Sequence, residues 1–295
     1  MLAKLRLYSD FVVLKHSLFA IPFAYLGAFL ASRGVPELRI LFWVGLAFIG
    51  ARSAAMALNN LVDKEIDAKN PRTANRELPS GKIALREVWG IIIVSYFLLF
   101  YSAYKLNPLC LVLSPIIPVT SIIYPYLKRF FPVSHFVLGL NLGYAPVGGW
   151  LAVTGVFSYP FGAPESAMLL LLFVVTLWVA GFDMIYSLLD LDFDKKNKLY
   201  SIPSVFGVKT ALNLSFAAHV LMLALLVGLM FVLKLGVVFK VGLVVIALLI
   251  LYEHTLVKAD DFTNIPVAFF MDTWRNVNAA VSLCLLAFTV ADVLF

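Results

Sequence analysis

Two segments of the 295-residue chain place carboxylates at four-residue intervals. The first is Asn59-x-x-x-Asp63-x-x-x-Asp67, inside NNLVDKEIDAKNPRTANRELPSG; the second is Tyr186-x-x-x-Asp190-x-x-x-Asp194, inside FDMIYSLLDLDFDKKNKLYSIPSVFG. At about 100° per residue, positions i, i+4 and i+8 fall on one helical face. Like charges so placed repel by a few tenths of a kcal/mol per pair, a poor arrangement for stability alone. A cation between them would resolve the repulsion, and a set of hard oxygen donors suits Mg²⁺, which binds one or two carboxylates together with substrate phosphates. The plainer alternative is solvated loop charge balanced by nearby lysines. Two such motifs, each at the end of an apolar run, favour a site.

Two further residues lie deeper. Asp183 precedes Asp190 by seven residues, two turns along the same expected face, within the apolar run LWVAGFDMIYSLL. An ionisable group in such a run is a functional candidate by default. Arg52 precedes Asn59 by the same interval and needs a carboxylate partner, either a motif aspartate or one carried by an acceptor substrate. Asp192 points about 160° away from both Asp190 and Asp194. Arg72, Arg76, Lys128, Arg129 and Lys195 could clamp diphosphate oxygens; a bias of basic residues toward cytoplasmic loops accounts for them equally well.

The elements that must position these groups are membrane helices. The chain is 62% hydrophobic and 14% charged, with mean hydropathy +0.95, against roughly 45–50% apolar and about 25% charged for soluble domains. A helix crossing ~30 Å of hydrocarbon needs about 20 apolar residues. Nine runs qualify, near 10–31, 40–58, 88–104, 109–126, 135–154, 167–189, 211–233, 237–253 and 277–295. The fourth and fifth are interrupted by Pro115, Pro118, Pro125, Pro132 and Pro146.

Lysine and arginine concentrate after even-numbered runs: Lys64, Lys69, Arg72, Arg76, Lys82 and Arg86; Lys128 and Arg129; Lys195, Lys196, Lys198 and Lys209; Lys258 and Arg275. The positive-inside rule then puts the amino terminus and both motifs on the cytoplasmic side and the carboxyl terminus outside. The net charge of +6 is thus largely topological and points to lipid headgroups or a phosphorylated ligand; no nucleic-acid partner is expected. The first run exceeds the 7–15 residues of a signal h-region and contains Lys15 and His16, so it reads as a retained helix. Cys110 and Cys284, on distant helices, read as packing residues. No linker breaks the chain, which reads as a single transmembrane domain over 1–295.

A diphosphate head on a membrane-resident body describes a polyprenyl diphosphate. Apolar, aromatic-rich helices can hold its isoprenoid tail while the acidic rim holds magnesium and the head.

The same residues resemble the UbiA family of intramembrane prenyltransferases. NNLVDKEIDAKNPRTANRELPSG is similar to the family's first aspartate-rich motif with its trailing R-T-x-x-R-x-L-P-x-G, FDMIYSLLDLDFDKKNKLYSIPSVFG to the second, and YPYLKRFFPVSHFVLGLNLGYAPVGGW to the segment between them. LKHSLFAIPFA and YEHTLVKADD resemble the 4-hydroxybenzoate and menaquinone-pathway branch; AFFMDTWRNVN departs from it. The resemblance implies an all-α membrane protein of about nine helices around a central cavity open to lipid, with both motifs at its cytoplasmic mouth. It implies two Mg²⁺ ions held by Asn59, Asp63, Asp67, Asp190 and Asp194, and a departing diphosphate stabilised by Arg72, Arg76, Lys128 and Arg129. Tyr186 would touch the diphosphate or the allylic cation, and Asp67 or Asp194 would take the ring proton of an aromatic acceptor resembling 4-hydroxybenzoate or a naphthoate. Lipid-quinone biosynthesis is the implied setting. Transfer to a glyceryl phosphate lipid precursor is an alternative within the family, and an ion-coupled transporter is one outside it.

Overall fold

The computed structural model describes residues 2–12, 14–157, 162–257 and 267–295. Lys258 lies outside these residues, and the side chains of Lys15 and His16 lie outside the described ones. The described residues contain no strand. In chain order the helices are α1 (Leu2–Phe11), α2 (Leu14–Ser32), α3 (Leu38–Val62), α4 (Lys64–Lys69), α5 (Leu85–Leu106), α6 (Pro108–Leu113), α7 (Ile116–Leu127), α8 (Ser134–Thr154), α9 (Ala163–Tyr186), α10 (Leu191–Asn197), α11 (Ile202–Phe206), α12 (Val208–Leu233), α13 (Val237–Thr255) and α14 (Val267–Leu294).

Among the described residues, eight helical segments are long and apolar enough to cross a membrane. The first expected run, 10–31, falls on the end of α1 and on α2, which is 19 residues long. Helix α1 carries Lys4, Arg6 and Asp10 and ends at Phe11. The run 109–126 is also divided, into α6 and α7, at Ser114 and Pro115, where proline supplies no amide to the helical ladder.

Close backbone approach sets the centre of the bundle. A Cβ on Gly139 or Gly143 of α8 would run into the Thr176 or Leu172 carbonyl of α9, and one on Gly149 into the Ala24 carbonyl of α2. Small residues at four-residue spacing let membrane helices pack this tightly without a hydrophobic drive between them. Around this contact lies the main core, with Phe23, Leu26, Trp150, Leu171, Trp178 and Leu226 among its members.

Two smaller clusters hold the motif segments. Phe11, Leu58, Leu78, Ile83, Val88 and Ile92 pack together, so the loop that trails the first motif is pinned by Leu78 and Ile83 against α1, α3 and α5. Ile202 packs with Ala180, Met184, Ala211 and Ala218, which anchors the segment trailing the second motif.

Candidate active site

The first motif keeps its helical hydrogen bonds across a joint. Asp63 is the joint between α3 and α4, and i→i−4 bonding runs through it, from Asp63 N to Asn59 O (2.9 Å) and from Asp67 N to Asp63 O (2.7 Å). The second motif is different. Between α9 and α10 the chain tightens into a 3-10 turn over Ser187–Asp190, and three residues per turn carries Asp190 further round than a continued α-helix would. Burial of Ile185 and Leu188 with Val257 accompanies the tighter winding.

The two motifs, 120 residues apart in sequence, meet. Asp190 receives a two-pronged guanidinium from Arg72, through Nε at 2.8 Å and Nη2 at 2.5 Å, plus the Asn70 amide at 2.8 Å. Arg72 Nη1 donates to the Tyr186 hydroxyl at 2.9 Å. On the other wall, Lys128 donates to Asp63 at 2.5 Å and Arg76 to Asp67 at 2.9 Å. Arg129 caps the end of α3 by donating to the Val62 carbonyl at 2.8 Å, and stands 3.8 Å from Asp63. Asp194 accepts from the Ser201 hydroxyl at 2.8 Å. The Tyr200 amide donates to the Lys128 carbonyl at 2.6 Å, joining the second trailing segment to the end of α7.

Electrostatics follow from this pairing. Burial raises the Asp63 carboxyl above its ordinary value, while the charge and hydrogen bond of Lys128 pull it back. For Arg72, burial works against the charged form, but the bonds to Asp190 and Tyr186 outweigh it and hold the guanidinium firmly protonated.

Below the paired charges lies a cavity of about 780 Å³. Its polar lining includes Arg52, Asn59, Arg76, Tyr124, Asp183 and Tyr186; its walls are mostly apolar, among them Phe48, Leu99, Leu142, Trp178 and Phe182. The Nε atom of Arg52 is buried without a hydrogen-bond partner. Asp183 Oδ2 lies 2.7 Å from His135 Nδ1, and the Ile202 amide donates to the other ring nitrogen of that histidine at 3.3 Å.

The structure therefore brings together Asn59, Asp63, Asp67, Arg72, Arg76, Lys128, Arg129, Tyr186, Asp190 and Asp194 around one mouth, with Arg52 and Asp183 inside. Lys195 is not part of this group: it is exposed on α10, as are Asp192 and Lys196. Asn70, Tyr124 and His135 were not foreseen. For Tyr124 and His135 a signal existed, since polar side chains at the edges of apolar runs deserve the scrutiny given to Arg52; for Asn70 there was none beyond its place in the motif.

A magnesium ion can be tested against these residues. Among the described residues no group of three or more His, Cys, Asp or Glu side chains is gathered as a cage. Mg²⁺ does not require one, because it takes one or two carboxylates and completes its shell with phosphate and water. The donors are all oxygen, and Asp63 Oδ1 is buried with no hydrogen-bond partner. Cationic side chains already neutralise Asp63, Asp67 and Asp190, which shows that this mouth demands positive charge. The residues fit the ion.

The profile of the UbiA prenyltransferase family matches residues 20–276. The 4-hydroxybenzoate octaprenyltransferase of Aliivibrio fischeri (strain ATCC 700601 / ES114) is 33% identical over 233 residues, 78% of each chain. The solved apo structure of a UbiA homologue from Aeropyrum pernix K1 superposes with a TM-score of 0.83 at 35% identity, over 95% of this chain and 98% of that one. A UbiA homologue from Archaeoglobus fulgidus, solved bound to DMAPP and Mg²⁺, shares the fold at 18% identity with a TM-score of 0.68, over 96% of this chain and 99% of that one. With the family profile spanning most of its length, the chain belongs to the UbiA prenyltransferase family, an integral membrane enzyme.

Proposed function

We propose that the protein transfers a polyprenyl group from a polyprenyl diphosphate to a small aromatic acceptor of the 4-hydroxybenzoate type, in the assembly of a lipid quinone. The observation that carries this reading is the joining of both aspartate motifs, through Arg72 and Asn70 on Asp190, above a cavity with apolar walls. Relatives named for octaprenyl transfer to 4-hydroxybenzoate and an Mg²⁺-bound homologue of the same fold support it.

Asn59, Asp63 and Asp67 on one wall and Asp190 and Asp194 on the other would hold two Mg²⁺ ions. When bound, the metals supply neutralising charge to the diphosphate and so make it a better leaving group. The chain does the rest. Arg72, Arg76 and Lys128, now paired with carboxylates that the ions would claim, turn to the diphosphate oxygens; Arg129 adds charge from the end of α3, and the Tyr186 hydroxyl offers one more bond. The apolar walls take the isoprenoid tail and keep water from an electron-poor allylic carbon. Asp67 or Asp194 accepts the proton lost by the acceptor ring. Arg52 receives the acceptor carboxylate, since its buried Nε has no partner in the protein. By the distribution of lysine and arginine this chemistry faces the cytoplasm.

The test is prenyl transfer by purified protein with Mg²⁺, a series of polyprenyl diphosphates and candidate acceptors, read by product mass. Transfer to 4-hydroxybenzoate that stops with EDTA is expected; turnover that survives chelation sinks the metal assignment. In the same assay Arg52→Leu raises the acceptor KM about 10- to 100-fold, the worth of a hydrogen bond to a charged group, and leaves the donor KM near its original value. Equal effects on both would make Arg52 structural.

A further inference from the structure

We infer that His135 is a positioning residue that orients Asp183 to recognise the hydroxyl of the acceptor. The inference rests on the acceptor class proposed above and assigns a second recognition point beside Arg52.

His135, in the first turn of α8, is 3% exposed and bonded at both ring nitrogens. The Ile202 amide has a fixed hydrogen, so Nε2 must present its lone pair to it. The hydrogen of the neutral ring then sits on Nδ1 and is donated to Asp183 Oδ2. A doubly protonated ring would set two N–H groups against each other at Ile202. One backbone amide thus selects the tautomer, and the tautomer selects the rotation of the carboxylate. An arrangement of this kind, a side chain held by its neighbour so that a third group is aimed, is the usual way an imidazole and a carboxylate are oriented together.

The consequence lies on the other oxygen. Among the described residues no donor reaches Asp183 Oδ1, and Asp183 lines the same cavity as Arg52. Asp183 and Arg52 do not form an ion pair within 4.0 Å, in contrast to the pairs made at the mouth by Asp63, Asp67 and Asp190. The cavity therefore offers a cation and a separate carboxylate oxygen. A molecule with a carboxylate at one end and a hydroxyl at the other satisfies both. Ile202 is itself fixed by packing against Ala180 and Met184 of α9, so amide, imidazole and carboxylate form one rigid chain.

The decisive measurement compares 4-hydroxybenzoate with benzoate, which keeps the carboxylate and lacks the hydroxyl. In the prenyl-transfer assay the ratio of the benzoate inhibition constant to the 4-hydroxybenzoate KM reads the preference for the hydroxyl. For the unmodified protein this ratio is about tenfold or more. His135→Ala brings it close to one with the donor KM unchanged, and His135→Phe, which keeps the volume, does the same and decides the matter if His135→Ala is not recovered folded. His135→Asn, whose amide can donate in place of Nδ1–H, retains most of the preference. A ratio unchanged in His135→Phe, or lost in His135→Asn as fully as in His135→Phe, overturns the inference. An unmodified protein that transfers nothing to 4-hydroxybenzoate overturns the functional reading instead.

Discussion

The two aspartate motifs carry the same spacing but are built differently. The first is buried and braced. Asp63 and Asp67 are 2% and 6% exposed, their helix runs on through the joint at Asp63, and the loop behind them is nailed down by Leu78 and Ile83. The second is wound through a 3-10 turn, ends in an exposed α10, and leaves Asp190 partly open under a single guanidinium. A rigid wall faces one that solvent can reach. The Arg72 bridge is where the two halves are joined.

The largest effect separates the walls by stability and leaves their activity alike. Asp63→Asn and Asp190→Asn both reduce turnover by at least about 100-fold, in line with the loss of metal affinity expected when a coordinating group or its support is removed. Only Asp190→Asn also lowers thermal stability near neutral pH, by about 1–3 kcal/mol, because Arg72 and Asn70 hold that carboxyl below its ordinary value despite its burial, whereas burial holds the Asp63 carboxyl above its own, so that its charge adds no net stability there. Equal melting curves for the two variants would erase this electrostatic distinction between the walls.

Charge balance on the braced wall gives a second, intermediate effect. Burial raises the Asp63 carboxyl and Lys128 lowers it, so Lys128→Met moves the acid limb of the kcat/KM profile to higher pH. Stability depends on pH with the opposite slope. A carboxyl raised on folding favours the folded state below its unfolded value and loses that contribution as pH climbs through the raised value. Lys128→Met therefore extends the pH range over which stability falls with rising pH, measurable by thermal melts across the acid range. An acid limb that stays in place would show that Asp63 is not the group that must ionise.

Much of this site was legible before any fold was known. Carboxylates four residues apart advertise one face, and Arg52 and Asp183 stand out because hydrocarbon tolerates no idle charge. What local spacing could not convey was partnership. Asn70 and Arg72 reach Asp190 across 118 to 120 residues, and such a meeting depends on how glycine contacts place α9 against α8 and α3 against α5. The 3-10 turn was equally hidden, since four residues of SLLD carry no signature that distinguishes it from continued α-helix.

The smallest effects mark how far the open wall extends. Tyr186→Phe removes the hydroxyl that accepts from Arg72 at 2.9 Å but leaves the ring under the guanidinium, 5.2 Å from its centroid, and leaves both prongs on Asp190. One hydrogen bond of about 1 kcal/mol then translates to roughly a fivefold fall in kcat/KM for the donor. Lys195 is exposed on α10 with no cavity contact, so Lys195→Ala changes steady-state rates less than about twofold, as surface substitutions away from a site usually do. The order of the two decides the boundary. If Lys195→Ala costs more than Tyr186→Phe, the bound diphosphate draws α10 inward and the second wall closes during turnover; if the order stands, the wall ends at Asp194 and is linked to the first by Arg72 and Asn70 on Asp190.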